Sequence, residues 1–127
     1  MGFRFFLSLG AILAGLSVAF GAFASHALKT KLDDRALSIF ETGARYQMYH
    51  ALALILVSIL MTHAELSQPF LTASGTAFLI GIALFSGSLY GLSLTGVKWL
   101  GAIAPLGGTA FLIGWVCLAI VAWSTKG

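Results

Sequence analysis

The stretch WLGAIAPLGGTAFLIGWVCLAIVAW, Trp99 to Trp123, carries no charged side chain. A bilayer's hydrocarbon core is about 30 Å thick, and an α-helix needs about 20 consecutive apolar residues to cross it. This stretch suffices on its own. Three more apolar runs precede it: Phe3 to Ala24, Tyr46 to Thr62 and Phe70 to Leu94. Four such spans need roughly 80 residues, and the chain has 127, of which 59% are hydrophobic and 9% charged. A water-soluble domain of this size has too little interior to hide so much apolar surface. The expectation is an all-α polytopic membrane protein, with four transmembrane helices in an up-down bundle. Residues 1–127 would form one domain, with a short interfacial helical segment between helices 1 and 2.

The lipid bilayer is therefore the first partner. The formal charge of +3 is small and its basic residues are scattered, so nucleic-acid binding has no electrostatic footprint. The single cysteine, Cys117, lies within the fourth run. It has no intramolecular disulfide partner and reads as a small core hydrophobe. Met1 to Arg4 is a short basic start, and Ala22-Phe23-Ala24 mimics a signal-peptidase site. The apolar run before that site exceeds a typical signal core, so a retained first helix is expected.

Small residues mark where helices could approach closely. Ser17, Gly21 and Ser25 form small-xxx-small pairs, and Gly87 and Gly91 form a GxxxG pair; Gly107 and Gly108 join them as packing candidates. Between the first two spans, Asp33 suits a helix N-cap, with Leu32 and Leu37 placed as a hydrophobic staple. A helix from Asp34 to Thr62 would be about 43 Å long. That exceeds the core thickness, so its first turns would lie on the interface, with Gly43 as the expected bend. Pro69 suits the first turn of span three. Pro105 is expected to kink span four. Lys29, Lys31, Arg35, Arg45 and Lys98 fall in loops one and three, whereas Arg4 and Lys126 fall on the other side. That bias predicts cytoplasmic loops one and three, with both termini outside.

Tracing the spans gathers polar side chains toward the side of loops one and three. His26 closes span one; Tyr46, Gln47 and His50 open span two; Ser86, Ser88 and Tyr90 close span three. Polar groups at membrane depth are costly unless they meet partners, so these are expected to point inward. They would form either an interhelical hydrogen-bond clamp, the simpler reading, or a shallow polar pocket open to the cytoplasm. His26 and His50 could share a haem or metal, yet two histidines without a third ligand are a weak set. No metal site and no cofactor are expected. Tyr49, Trp99 and Trp123 read as interfacial belt residues.

All four carboxylates, Asp33, Asp34, Glu41 and Glu65, lie outside the apolar runs. A proton-coupled exporter would be expected to carry an acid within a span. No nucleophile–base arrangement or phosphate loop is present to suggest catalysis. Three functions remain in view. The first is a non-enzymatic accessory or scaffold component with a larger membrane-protein partner. The second is a small homo-oligomeric channel or transporter for a neutral or weakly polar solute. The third is a haem- or quinone-binding component.

Three segments occur in a distinctive order: Gly21-Ala-Phe-Ala-Ser-His-Ala-Leu28; Tyr46-Gln-Met-Tyr-His-Ala-Leu-Ala-Leu54; and Phe85-Ser-Gly-Ser-Leu-Tyr90 continuing through Leu94-Thr-Gly96 to Pro105-Leu-Gly-Gly108. Together they resemble the family catalogued as domain of unknown function 423, over essentially the whole chain. At Ala24-Ser25 the chain departs from the Gly-Ala pair expected before the histidine. The resemblance implies a small polytopic protein of the bacterial inner membrane and implies no activity. His26, Tyr46, Gln47, His50, Ser86, Ser88, Tyr90 and Pro105 all fall within its motifs.

Overall fold

The computed structural model describes residues 2–124; Met1 of the basic start and Lys126 of the charge comparison lie outside the described residues. The described residues are helical and contain no strand. Helix α1 spans Phe3–His26 and α2 spans Asp34–Met61. Helix α3, Gln68–Gly81, continues through a π-helical turn, Ile82–Ser86, into α4, Gly87–Thr95. Helix α5 spans Leu100–Trp123. Counting α3 to α4 as one span, four helices are long and apolar enough to cross a membrane.

Local chemistry sets the boundaries. Asp33 Oδ1 accepts the Ala36 N–H at 2.7 Å, and Leu32 and Leu37 pack on the same apolar cluster. That combination starts α2 well before its apolar run. Ser67 caps α3 by accepting the Phe70 N–H, with Pro69 in the first turn. Gly96 ends α4 with φ of 72°, a left-handed geometry that a side chain would strain. A 3₁₀ turn, Leu28–Thr30, joins α1 to α2.

The helices pack antiparallel and in chain order. Gly10 of α1 meets Ala51 and Ile55 of α2, and Gln47 reaches the Leu13 carbonyl. Gly81 meets Phe111, and Gly107 meets Phe85, which sets the register of the third span against α5. The third span lies between α2 and α5, whereas α1 and α5 do not pack along one another. The bundle is thus an open series rather than a closed ring. Phe6, Leu54, Val57, Leu71, Phe78 and Phe111 form the main core; Ala24, Leu28 and Phe40 form a second cluster toward loop one. Large apolar side chains such as Ile12, Val18, Leu112 and Val116 are exposed. In water such faces would be a liability; in lipid they are solvated.

Several packing expectations are corrected. An added Cβ at Gly21, Gly87 or Gly108 meets nothing within 4 Å, so these glycines do not mediate close helix approach within the chain. Gly91 does face a neighbour, the Leu100 side chain, and Gly107 lies directly on the backbone of Phe85. Helix α2 stays helical through Gly43, the expected bend. A Cβ there would come 2.8 Å from the Tyr90 ring, so glycine makes room for that aromatic. Pro105, the expected kink, lies inside the unbroken helix α5. An irregular turn lies in the third span, at Ile82–Ser86, where the Gly87 N–H bonds the Ile82 carbonyl five residues back.

Candidate functional site

The predicted polar residues separate into three groups. Gln47, Tyr90 and Ser86 form an interhelical clamp. Gln47 Nε2 donates to the Leu13 carbonyl at 2.8 Å, and Tyr90 Oη donates to Gln47 Oε1 at 2.6 Å. Ser86 Oγ donates to the Gly43 carbonyl at 2.7 Å. One amide thereby ties α1, α2 and α4 together. Phe20 and Phe40 pack on the Tyr90 ring, with centroids at 5.2 and 4.9 Å, and keep the clamp dry. Among the described residues no buried side-chain nitrogen or oxygen lacks a hydrogen-bond partner.

The second group lines a groove between α2 and α5, with the π turn as its floor. Its volume is about 680 Å³, and Tyr46, Tyr49, His50, Phe85, Pro105, Gly108, Thr109, Phe111, Leu112 and Trp115 surround it. His50 is buried at its inner edge. Phe111 stacks on the imidazole with centroids 3.5 Å apart and planes 8° from parallel. The Trp115 indole N–H donates to His50 Nε2 at 3.1 Å. An indole only donates, so Nε2 is the acceptor and the ring proton sits on Nδ1. Nδ1 in turn donates to the Tyr46 carbonyl at 2.7 Å. Both ring nitrogens are occupied, which locks the imidazole as a neutral bridge from α2 to α5.

His26 and Ser88 belong to neither arrangement. His26 is exposed at the end of α1, and Ser88 Oγ donates back to the Phe85 carbonyl on its own helix at 3.0 Å. Leu13 faces Gln47 across the α1–α2 pair. From there, helical rise puts His26 and His50 about 24 Å apart along the axis. One haem or metal cannot be held by both. Among the described residues no group of three or more potential ligands converges.

Depth also changes. His50 sits about 16 Å before the end of α2, and Trp115 about 12 Å before the end of α5. In a core about 30 Å thick, both lie near the midplane. The polar groups are therefore not confined to one leaflet; Ser74 Oγ, which donates to the Gly114 carbonyl at 2.8 Å, ties α3 to α5 farther down. Trp115, Phe111 and Ser74 escaped the sequence reading.

These features define a small helical integral membrane protein in which several intramembrane polar groups, Gln47, His50, Ser74, Ser86 and Tyr90 among them, join helix to helix. The family model described as "Protein of unknown function (DUF423)" matches residues 20–108, and the chain belongs to that family. Among its relatives, the UPF0382 membrane protein YwdK of Bacillus subtilis is 45% identical over 94% of this chain and 96% of its own. A UPF0382 membrane protein of Staphylococcus epidermidis is 43% identical over 92% and 93%, respectively. One of Haemophilus influenzae is 42% identical over 95% of each. No solved structure matches the chain.

Proposed function

We propose that this is a non-enzymatic binding or accessory component of the bacterial plasma membrane. In this reading the α2–α5 groove is the seat for its partner. The supporting observation is the division of labour among its polar and apolar groups. Among the described residues the buried polar side chains within the spans bond one another or the backbone, and the α2–α5 concavity is an aromatic groove carrying no charged residue. Its volume falls in the range of small-ligand sites, and its lining, from Tyr46 to Trp115, lies within the apolar spans, so in this reading it opens toward the membrane. Its occupant would be apolar and would arrive laterally, as a segment of a larger membrane protein. A transport pathway would instead require buried polar groups left free to handle a solute, and the clamp consumes Gln47, Ser86 and Tyr90. The bacterial relatives and the Lys/Arg bias favour a plasma-membrane protein with loops one and three in the cytoplasm.

Gly108 provides the test. It lines the groove, and a side chain built there meets nothing within 4 Å. Gly108→Phe is expected to fill the groove while leaving the fold intact. Native mass spectrometry on protein released directly from its own membranes should show a larger membrane protein bound to the parent chain and absent from Gly108→Phe. A parent chain that always emerges alone, or a complex that survives the substitution, contradicts the reading.

A further inference from the structure

A second cavity, of about 570 Å³, lies at the loop-one and loop-three end of the bundle, away from the groove. The first turns of α2 supply Asp33 and Arg35 to it, and the turn into α5 supplies Lys98. Ile39 and Leu92 form its apolar wall. Three properties coincide here. Two cations line one concavity. A carboxylate lines it as well, using Oδ1 to cap α2 and leaving Oδ2 for another donor. Finally, the cavity sits where α4 ends at Thr95 and α5 begins at Leu100, which is headgroup level for spans of this length.

Cations alone would favour any anion. The added carboxylate penalises a purely anionic ligand and rewards one that carries its own ammonium group. We infer that this cavity binds a phosphoethanolamine group, with Arg35 and Lys98 on the phosphate and Asp33 on the ammonium. The apolar wall continues toward the spans, which suits a headgroup still attached to its glycerol and acyl chains. The same chemistry could come from a soluble phosphoethanolamine, so the test separates the two sources. Interfacial Lys and Arg each contribute about 1 kcal/mol toward an anionic lipid group, or about fivefold in affinity.

The test uses the full chain in nanodiscs, with native mass spectrometry reading retained lipid from mixtures of phosphatidylethanolamine and phosphatidylglycerol. The parent chain should retain phosphatidylethanolamine preferentially. Arg35→Gln and Lys98→Gln should each weaken retention of it about fivefold. Asp33→Asn is the decisive variant, because asparagine caps a helix as well as aspartate does and removes only the charge. It should abolish the preference between the two lipids. Competition with soluble phosphoethanolamine identifies the source: displacement of the lipid assigns a soluble ligand, and no displacement assigns the lipid. A parent chain without preference, an Asp33→Asn variant that keeps it, or cation variants that bind unchanged would each overturn the inference.

Discussion

Gly107→Ala is expected to cost about 3 kcal/mol of stability, measured by reversible unfolding in mixed micelles with increasing sodium dodecyl sulfate. The added methyl would press on the Phe85 backbone nitrogen and sit 2.8 Å from its Cα. Backbone cannot swing aside as a flexible side chain can, so the third span and α5 must separate along that contact. The adjacent Gly108→Ala is the internal control. It meets open space, and alanine's better helix propensity should leave stability unchanged or raise it by up to about 1 kcal/mol. Equal losses at both positions would mean that Gly108 is also covered, by a second chain, or that α5 does not meet the π turn through Gly107.

Gln47→Leu is expected to cost about 2 kcal/mol in the same measurement, because it removes two interhelical bonds and strands the Tyr90 hydroxyl away from water. Tyr90→Phe should cost about 1 kcal/mol, since the ring remains against Gly43 and Phe40. The double variant should cost about 2 rather than 3 kcal/mol, because once Gln47 is gone, removing the hydroxyl relieves an unpaired group. A coupling of about 1 kcal/mol is the signature of the clamp. Strict additivity would show that the two side chains do not depend on each other.

The helical class and span positions were legible because bilayer thickness translates into a length of apolar chain, and this chain has little else. The Asp33 cap was legible for a similar reason: a short carboxylate before an apolar-periodic segment has one favourable use. Which polar residues bond which was harder. His26, Ser88 and His50 have similar sequence settings, yet only His50 points toward α5. Small-residue spacing misled at Gly21 and Gly87, because a repeat every four residues reports one face of a helix without saying whether anything covers it. The better signal was present in α5. Ala104, Gly107, Phe111, Gly114, Leu118 and Val121 recur at alternating steps of three and four and all lie toward the core. That stripe would have identified both Gly107 and the face carrying Phe111. The π turn has no comparable signature, since Ile82–Ser86 is as apolar as the helix around it.

The open, in-order packing of the helices bears on how the protein is made. Helix α2 docks on α1, the third span docks on α2, and α5 docks on the third span. Each newly emerging span therefore finds its main surface on a span already synthesised, and no contact along α1 has to be held open until α5 arrives. Most pairings join neighbours in sequence, the arrangement that costs least in chain closure. The membrane can receive this molecule one helix at a time, with an almost finished docking face present at each stage. Helix α5 completes both the aromatic groove and the locking of His50, so the groove comes into being only once α5 has been inserted.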